Sequence, residues 1–150
     1  MSSYHKIKKR YIITGGSDND NMTGGTGNDT FKVDSGTDTV SDLTTGDILV
    51  VSSGATANAT NISAFVATGS TSNSGTANLT TANSGGTIDV GNSTTGAYNL
   101  TGLAGSDTLK GNGKNTIIKQ QYFAHDSTDG HGTNLPFTGN FVGVGTEILS

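Results

Sequence analysis

The sequence predicts an all-β chain, a parallel β-roll or β-solenoid, and three observations point there. A nine-residue frame recurs along much of the chain. Hydrophobic residues, glycine not counted, make up 31% of the 150 residues and charged ones 13%, where a typical globular domain carries roughly 45–50% apolar residues with glycine counted in and about 25% charged ones. The missing residues are replaced by Gly, Thr, Ser and Asn, which suit tight turns and short strands rather than a thick core.

The composition also bounds the architecture. A chain of 150 residues holds one ordinary domain or a short stack of repeats, so one unit is expected. With no cysteine and one proline, neither a disulfide framework nor a cysteine-based zinc or redox site is available. A thin core without disulfides needs a metal, oligomerisation or repeat stacking to reach useful stability. The net charge is −4, but it is unevenly spread. His5, Lys6, Lys8, Lys9 and Arg10 make the amino end basic, whereas Asp18, Asp20, Asp29, Asp34, Asp38, Asp42 and Asp47 follow with Lys32 the one cation among them. Carboxylates so concentrated repel one another unless something neutralises them. No stretch approaches the ~20 apolar residues of a membrane-spanning helix, and the basic start meets Gly15 and Gly16 before any apolar run, so neither a span nor an ordinary cleaved signal peptide is expected.

The frame is clearest from Gly24 to Lys32, GGTGNDTFK, with paired glycines leading, Asp29 in the sixth place and Phe31 in the eighth. Nine residues earlier, Gly15 to Thr23 keeps both glycines, Asp20 and Met22; Val33 to Ser41 keeps Gly36, Asp38 and Val40; Asp42 to Val50 keeps Asp47 and Leu49. Four units thus run without a break. The frame returns at Gly102 to Lys110, with Asp107 and Leu109 in place, and at Gly111 to Lys119, where Ile118 is kept but Thr116 stands where the carboxylate belongs.

Each unit has a physical reading of its own. Glycines admit positive φ and close backbone approach in the turn, the sixth-place Asp aims a carboxylate into it, and the triplet around the eighth place is a minimal strand with one inward residue. Two units close one coil, so loops two units apart stack on the same edge and their carboxylates face each other across a gap lined by carbonyls. Hard oxygen ligands in that arrangement suit calcium. Without a cation the stack repels itself, and the inward ladder of Met22, Phe31, Val40 and Leu49 is too slight to offset chain entropy, so calcium is expected to drive folding. A metal-free solenoid built on Asx turns is the competing reading.

These units resemble the nonapeptide repeats of the RTX (repeats-in-toxin) family, over residues 15–50 and 102–119. The resemblance implies that one loop supplies the carbonyls of its second and fourth residues, the stacked loop those of its first and third, and both the sixth-place Asp. One site would then pair Asp20 with Asp38 and use the carbonyls of Gly16, Asp18, Val33 and Ser35. A second would pair Asp29 with Asp47 and use those of Gly25, Gly27, Asp42 and Thr44. Asp107 would supply the carboxylate of the later repeat pair. Asp18 stands in place of a glycine, and the third and fourth units lack the leading pair, which predicts weaker sites there.

Residues 51–101 lose the Asp ligands but keep isolated apolar pairs: Phe65 and Val66, Ile88 and Val90, Tyr98 and Leu100. Leu79 to Ile88 and the series Leu100, Leu109, Ile118 hold the nine-residue spacing with a shift of phase between them. This predicts metal-free strands or coils with a bulge or longer loop at the shift, against the alternative of a flexible Ser/Thr/Gly linker. Residues 1–14 read as a basic arm or strand. Residues 120–150 read as a cap on the last coil, and their terminal Glu147-Ile148-Leu149-Ser150 is similar to the uncleaved carboxyl-terminal signal by which RTX proteins leave through a type I exporter.

Other chemistry is poorly supported. His125, Asp126, Asp129 and His131 offer zinc ligands, but a solvated turn explains the cluster as well. No positioning motif singles out a Ser/His/Asp triad, so no enzyme is expected. The basic segment reads as an exposed strand whose Ile7, Tyr11, Ile12 and Ile13 dock on β-structure, ahead of a nucleic-acid contact. The sequons at Asn58, Asn61 and Asn78 are expected by chance in a chain rich in Asn and Thr. A solenoid has two open ends, and the coil at 102–119 has no later loop to complete its sites. Stacking the first coil of another molecule on it would set Asp107 against Asp20 of that copy, a heterologous contact that propagates. The expected function is therefore a secreted structural protein that folds on calcium and polymerises head-to-tail into an extracellular fibre, surface coat or biofilm matrix. Its expected partners are copies of itself and the type I secretion machinery, with no nucleic acid. The alternative is a monomeric calcium-binding module serving adhesion or carrying another activity.

Overall fold

The fold is a parallel β-solenoid, seen in a computed structural model that describes residues 9–120. The basic arm before Lys9, the His125–His131 cluster and the carboxyl-terminal cap and signal lie outside the described residues. In chain order the first coil holds β1 (Ile12–Thr14) and β2 (Asn21–Met22), and the second β3 (Thr30–Val33) and β4 (Thr37–Val40). The third holds β5 (Ile48–Val51), β6 (Thr56–Ile62) and β7 (Ala64–Val66), and the fourth β8 (Ser72–Asn73), β9 (Thr76–Thr81) and β10 (Thr87–Asp89). The fifth holds β11 (Asn99–Gly102) and β12 (Thr108–Lys110), and β13 (Ile117–Gln120) opens the sixth. Among the described residues no helix is long and apolar enough to cross a membrane.

Stacking makes three parallel sheets, in the orders β1-β3-β5-β8, β2-β4-β6-β9-β11-β13 and β7-β10-β12. The register follows the nine-residue frame: Ile13 pairs with Phe31 and Phe31 with Leu49, while Met22 pairs with Val40. The first two coils are therefore two-sided rolls, each made of two units. From β7 onward the stack gains a third side. The corner is made at Asn61, which takes a left-handed φ of 59°, a conformation that Asn tolerates better than most residues. It coincides with a register break between Ala59 and Ile62. This bulge lies ahead of the Ile88–Leu100 interval where the phase shift placed one, and the middle of the chain is ordered strand rather than linker.

One hydrophobic core runs up the axis. Met22, Phe31, Val40 and Leu49 are all buried, and the ladder continues through Ile62, Phe65, Leu79, Ile88, Leu100, Leu109 and Ile118. The later residues divide between two walls: Leu79, Leu100 and Ile118 are in register on one sheet, whereas Phe65, Ile88 and Leu109 are in register on the third. Outward positions on the long sheet carry an amide ladder, in which Asn78 Nδ2 donates to Asn58 Oδ1 at 2.8 Å and Asn99 Nδ2 to Asn78 Oδ1 at 2.7 Å.

Candidate metal centre

The loops that join the strands stack in two columns. Residues 15–20 lie against 33–38, and residues 24–29 lie against 42–47. The leading glycine pair of a unit meets two separate demands. At the second place the backbone is left-handed, with φ of 95° at Gly16 and 87° at Gly25, which a side chain would strain. At the first place the demand is space: a Cβ on Gly15 would collide with Asp38 Oδ2, and one on Gly24 with Asp29 Oδ2.

The sixth-place carboxylates are tied to the coil before them. Asp20 N–H donates to Asp38 Oδ1 at 3.0 Å, Asp29 N–H to Asp47 Oδ1 at 2.8 Å, and Tyr11 N–H to Asp29 Oδ1 at 2.8 Å, each pair 18 residues apart. Asp20 is thus brought to Asp38 and Asp29 to Asp47, the pairs the frame predicts. Asp29, Asp38 and Asp47 are 1%, 0% and 2% exposed. Among the described residues none of them has a Lys or Arg partner; the ion pair found there joins Lys110 to Asp89. Buried carboxylates are ordinarily paired or bound to a metal, since burial of an unpaired ion costs several kcal/mol. Asp38 Oδ2 goes further, being buried with no hydrogen-bond partner at all. The point where a Gly15 Cβ would sit is 3.5 Å from Asp20 Oδ2 and in contact with Asp38 Oδ2, so both oxygens face the same small space. Among the described residues no three acidic or imidazole side chains gather in one place, so a cation held here takes its remaining ligands from carbonyls. Paired carboxylates, turn carbonyls and an orphaned buried oxygen fit calcium, a hard cation taking oxygen ligands in flexible geometry.

The predicted carbonyl donors are variously engaged. Gly16 O accepts the Ser35 hydroxyl at 2.9 Å, and Asp18 O is packed against Gly36 so closely that a Cβ there would touch it. Val33 O accepts Ser52 N–H at 2.9 Å and Thr44 O accepts Asp47 N–H at 3.1 Å. Gly27 O belongs to a turn whose open face is filled by the Lys9 carbonyl. Asp42, predicted through its carbonyl, also acts through its side chain: Oδ1 accepts Gly24 N–H at 3.0 Å and Oδ2 accepts Gly25 N–H at 2.6 Å. Its carboxylate clamps the loop of the preceding coil.

Asp107 is placed differently. Its Oδ1 accepts Gly86 N–H at 2.9 Å and its Oδ2 the Gln120 amide at 2.8 Å, with no second Asp brought to it among the described residues. One repeat later, Thr116 replaces the carboxylate with a hydroxyl that accepts Tyr98 N–H at 3.4 Å across the same 18-residue interval. Neutral side chains do similar work throughout the later coils. Asn73 Nδ2 donates to the Ala97 carbonyl, Asn92 Nδ2 to Ala67 O at 3.0 Å, and Asn112 Nδ2 to Gly96 O at 2.8 Å. Ser93 Oγ bonds Tyr98 Oη at 2.7 Å and donates to Thr71 O at 3.0 Å. Burial pushes the Tyr98 hydroxyl above its ordinary value, with the Ser93 bond pulling it partly back.

Comparison with known protein families matches the RTX calcium-binding nonapeptide repeat, in four copies, to residues 12–41 and 94–118. The first match stops short of Asp42–Val50, although that unit keeps the register in the structure. The second begins earlier than the frame read from Gly102, and takes in all but the first residue of the unit Ser93–Thr101, where Tyr98 holds the sixth place. Searches of curated proteins and of solved structures returned no match.

Proposed function

We propose that this RTX repeat protein, whose nonapeptides bind calcium, is a secreted structural subunit that folds as calcium enters its first coils and then assembles end to end. The carrying observation is the pairing of half-buried Asp20 with fully buried Asp38, where Asp38 Oδ2 has no hydrogen-bond partner. A cation there converts mutual repulsion into cross-links between consecutive coils. The low calcium of a cytoplasm and the higher calcium outside cells make that a natural switch for ordering the first coils after export through a type I machine, the route the family resemblance implies. The role is structural and binding, with no catalytic residue assigned.

End-to-end growth is supported by where the repeats lie. The two matched segments occupy opposite ends of the described stack, which ends in β1 and β2 on one side and in β12 and β13 on the other. A joint between molecules would therefore set repeat on repeat, heterologous and non-closing, which yields a fibre or surface matrix. Electron microscopy and light scattering of the full chain in millimolar calcium and in EGTA test this: fibres in calcium alone are expected, and monodisperse monomers in both would refute assembly. One observation favours the second reading, a monomeric calcium-binding module. Gln120 already occupies Asp107 Oδ2, so the later coil offers a neighbour a partly satisfied carboxylate.

A further inference from the structure

The two carboxylate pairs of the first coils look alike in sequence and are unlike in the structure. A carboxylate has about four lone-pair sites for donors or a cation. Asp38 has one in use, the Asp20 N–H on Oδ1 at 3.0 Å, and its Oδ2 is buried and unpartnered. Asp47 has three in use: Asp29 N–H on Oδ1 at 2.8 Å, and on Oδ2 both the Thr44 N–H at 2.7 Å and the Thr44 hydroxyl at 3.0 Å. Thr44 and Asp47 are closed into a local turn by a further bond, Asp47 N–H to Thr44 O at 3.1 Å. The same Thr44 is the residue whose carbonyl the family resemblance implies as a ligand of this second site.

We infer that the two sites load in order, the 15–20/33–38 site first and the 24–29/42–47 site second, because Thr44 acts as a latch that must release Asp47 before a cation can take it. This rests on the calcium reading above and goes beyond it in assigning rank and a controlling residue. An oxygen without a partner has nothing to surrender when a cation arrives, and its desolvation has already been borne by the fold. An oxygen holding two donors must give up at least one charge-assisted hydrogen bond, and hydrogen bonds to charged groups are the stronger ones. The latch thus holds the second loop in a near-native turn while no metal is present, at the expense of affinity. At the first site the Ser35 hydroxyl sits on the Gly16 carbonyl at 2.9 Å, but no donor holds Asp38 Oδ2, so its carboxylate depends on the cation more fully.

Isothermal calorimetry of the full chain with calcium alone as titrant tests the order. Two resolved steps are expected. Asp38→Asn should remove the tighter step, Asp47→Asn should remove the weaker step and keep the tighter one, and Thr44→Val, which deletes the latch hydroxyl, should tighten the weaker step by about three- to tenfold. A single class of equivalent sites, or a weaker step unmoved in Thr44→Val, would overturn the ranking while leaving calcium binding intact. Absence of any calcium heat in the unaltered chain would overturn the calcium reading and the ranking with it. Thr44→Val keeps every carboxylate, so it decides the matter even if Asp38→Asn fails to fold.

Discussion

Asp29 donates its backbone N–H to Asp47 Oδ1 at 2.8 Å while its own Oδ1 accepts the Tyr11 N–H at 2.8 Å. A single residue type at a single place in the frame thereby ties three successive coils together, each through the backbone of the residue 18 positions before it. The interval persists where the carboxylate is gone, in the bond from Tyr98 N–H to Thr116 Oγ1. The sixth place is therefore a structural joint first, and on the proposed reading a metal ligand where a carboxylate with a spare oxygen fills it.

The two glycines of a leading pair should fail in different ways. Gly15→Ala drives a methyl into the space shared by Asp38 Oδ2 and Asp20 Oδ2, so calcium binding at that site should be lost. Gly16→Ala meets no neighbour but sits at φ 95°, so it should cost about 1–2 kcal/mol in left-handed strain and keep the number of calcium ions bound. Calorimetric stoichiometry together with urea unfolding in calcium separates the two; equal loss of binding in both variants would contradict the division.

Asn112 should matter equally with and without calcium. Its amide donates to Ser93 O at 3.2 Å and Gly96 O at 2.8 Å, and its Oδ1 accepts the Thr116 hydroxyl at 2.9 Å. Asn112→Ala strands several of these partners, so a loss of about 2–3 kcal/mol is expected, read as the same shift of urea midpoint in calcium and in EGTA. A shift confined to calcium would contradict the assignment of this joint to neutral hydrogen bonds.

Alkali should loosen the coils around Tyr98. Burial raises the phenol of the folded chain above 10.0, its ordinary value and the one it regains on unfolding. The folded state then holds the proton more tightly, so this contribution to stability is fully present below pH 10.0 and is lost as pH climbs through the folded value. Tyr98→Phe cannot ionise and should show a flatter decline of thermal midpoint above pH 10.0, at a cost of about 1 kcal/mol at neutral pH for the lost Ser93 bond. Identical alkaline slopes for the two chains would contradict this.

Much of the first half was legible because the frame repeats without interruption. Met22, Phe31, Val40 and Leu49 face inward, and Asp20 meets Asp38 and Asp29 meets Asp47, since a fixed nine-residue step in a two-sided roll sets both register and loop stacking. The third side was not legible beyond a shift of phase. Its corner rests on Asn61 at positive φ, one of many Asn residues in the chain, with no glycine or proline to mark it. The nine-residue step sets Leu109 on a different wall from Leu100 and Ile118, but it does not convey that this wall is the third sheet, shared with Phe65 and Ile88. The side-chain roles of Asp42, Thr44 and Gln120 depend on which atoms adjacent coils bring together, and spacing alone does not convey that. Thr44 three residues before Asp47 was the one local sign of a latch.

Hydrogen exchange of backbone amides, measured on the full chain in EGTA and then in millimolar calcium, separates the coils that need the cation from those that hold without it. Amides such as those of Thr30, Thr39 and Ile48, in the coils that carry Asp20, Asp29, Asp38 and Asp47, should exchange rapidly in EGTA and become protected in calcium. Amides of Thr87, Thr108 and Ile117, in coils joined by Asn73, Asn92 and Asn112, should be protected in both. Equal protection of the first coils with and without calcium would contradict this separation.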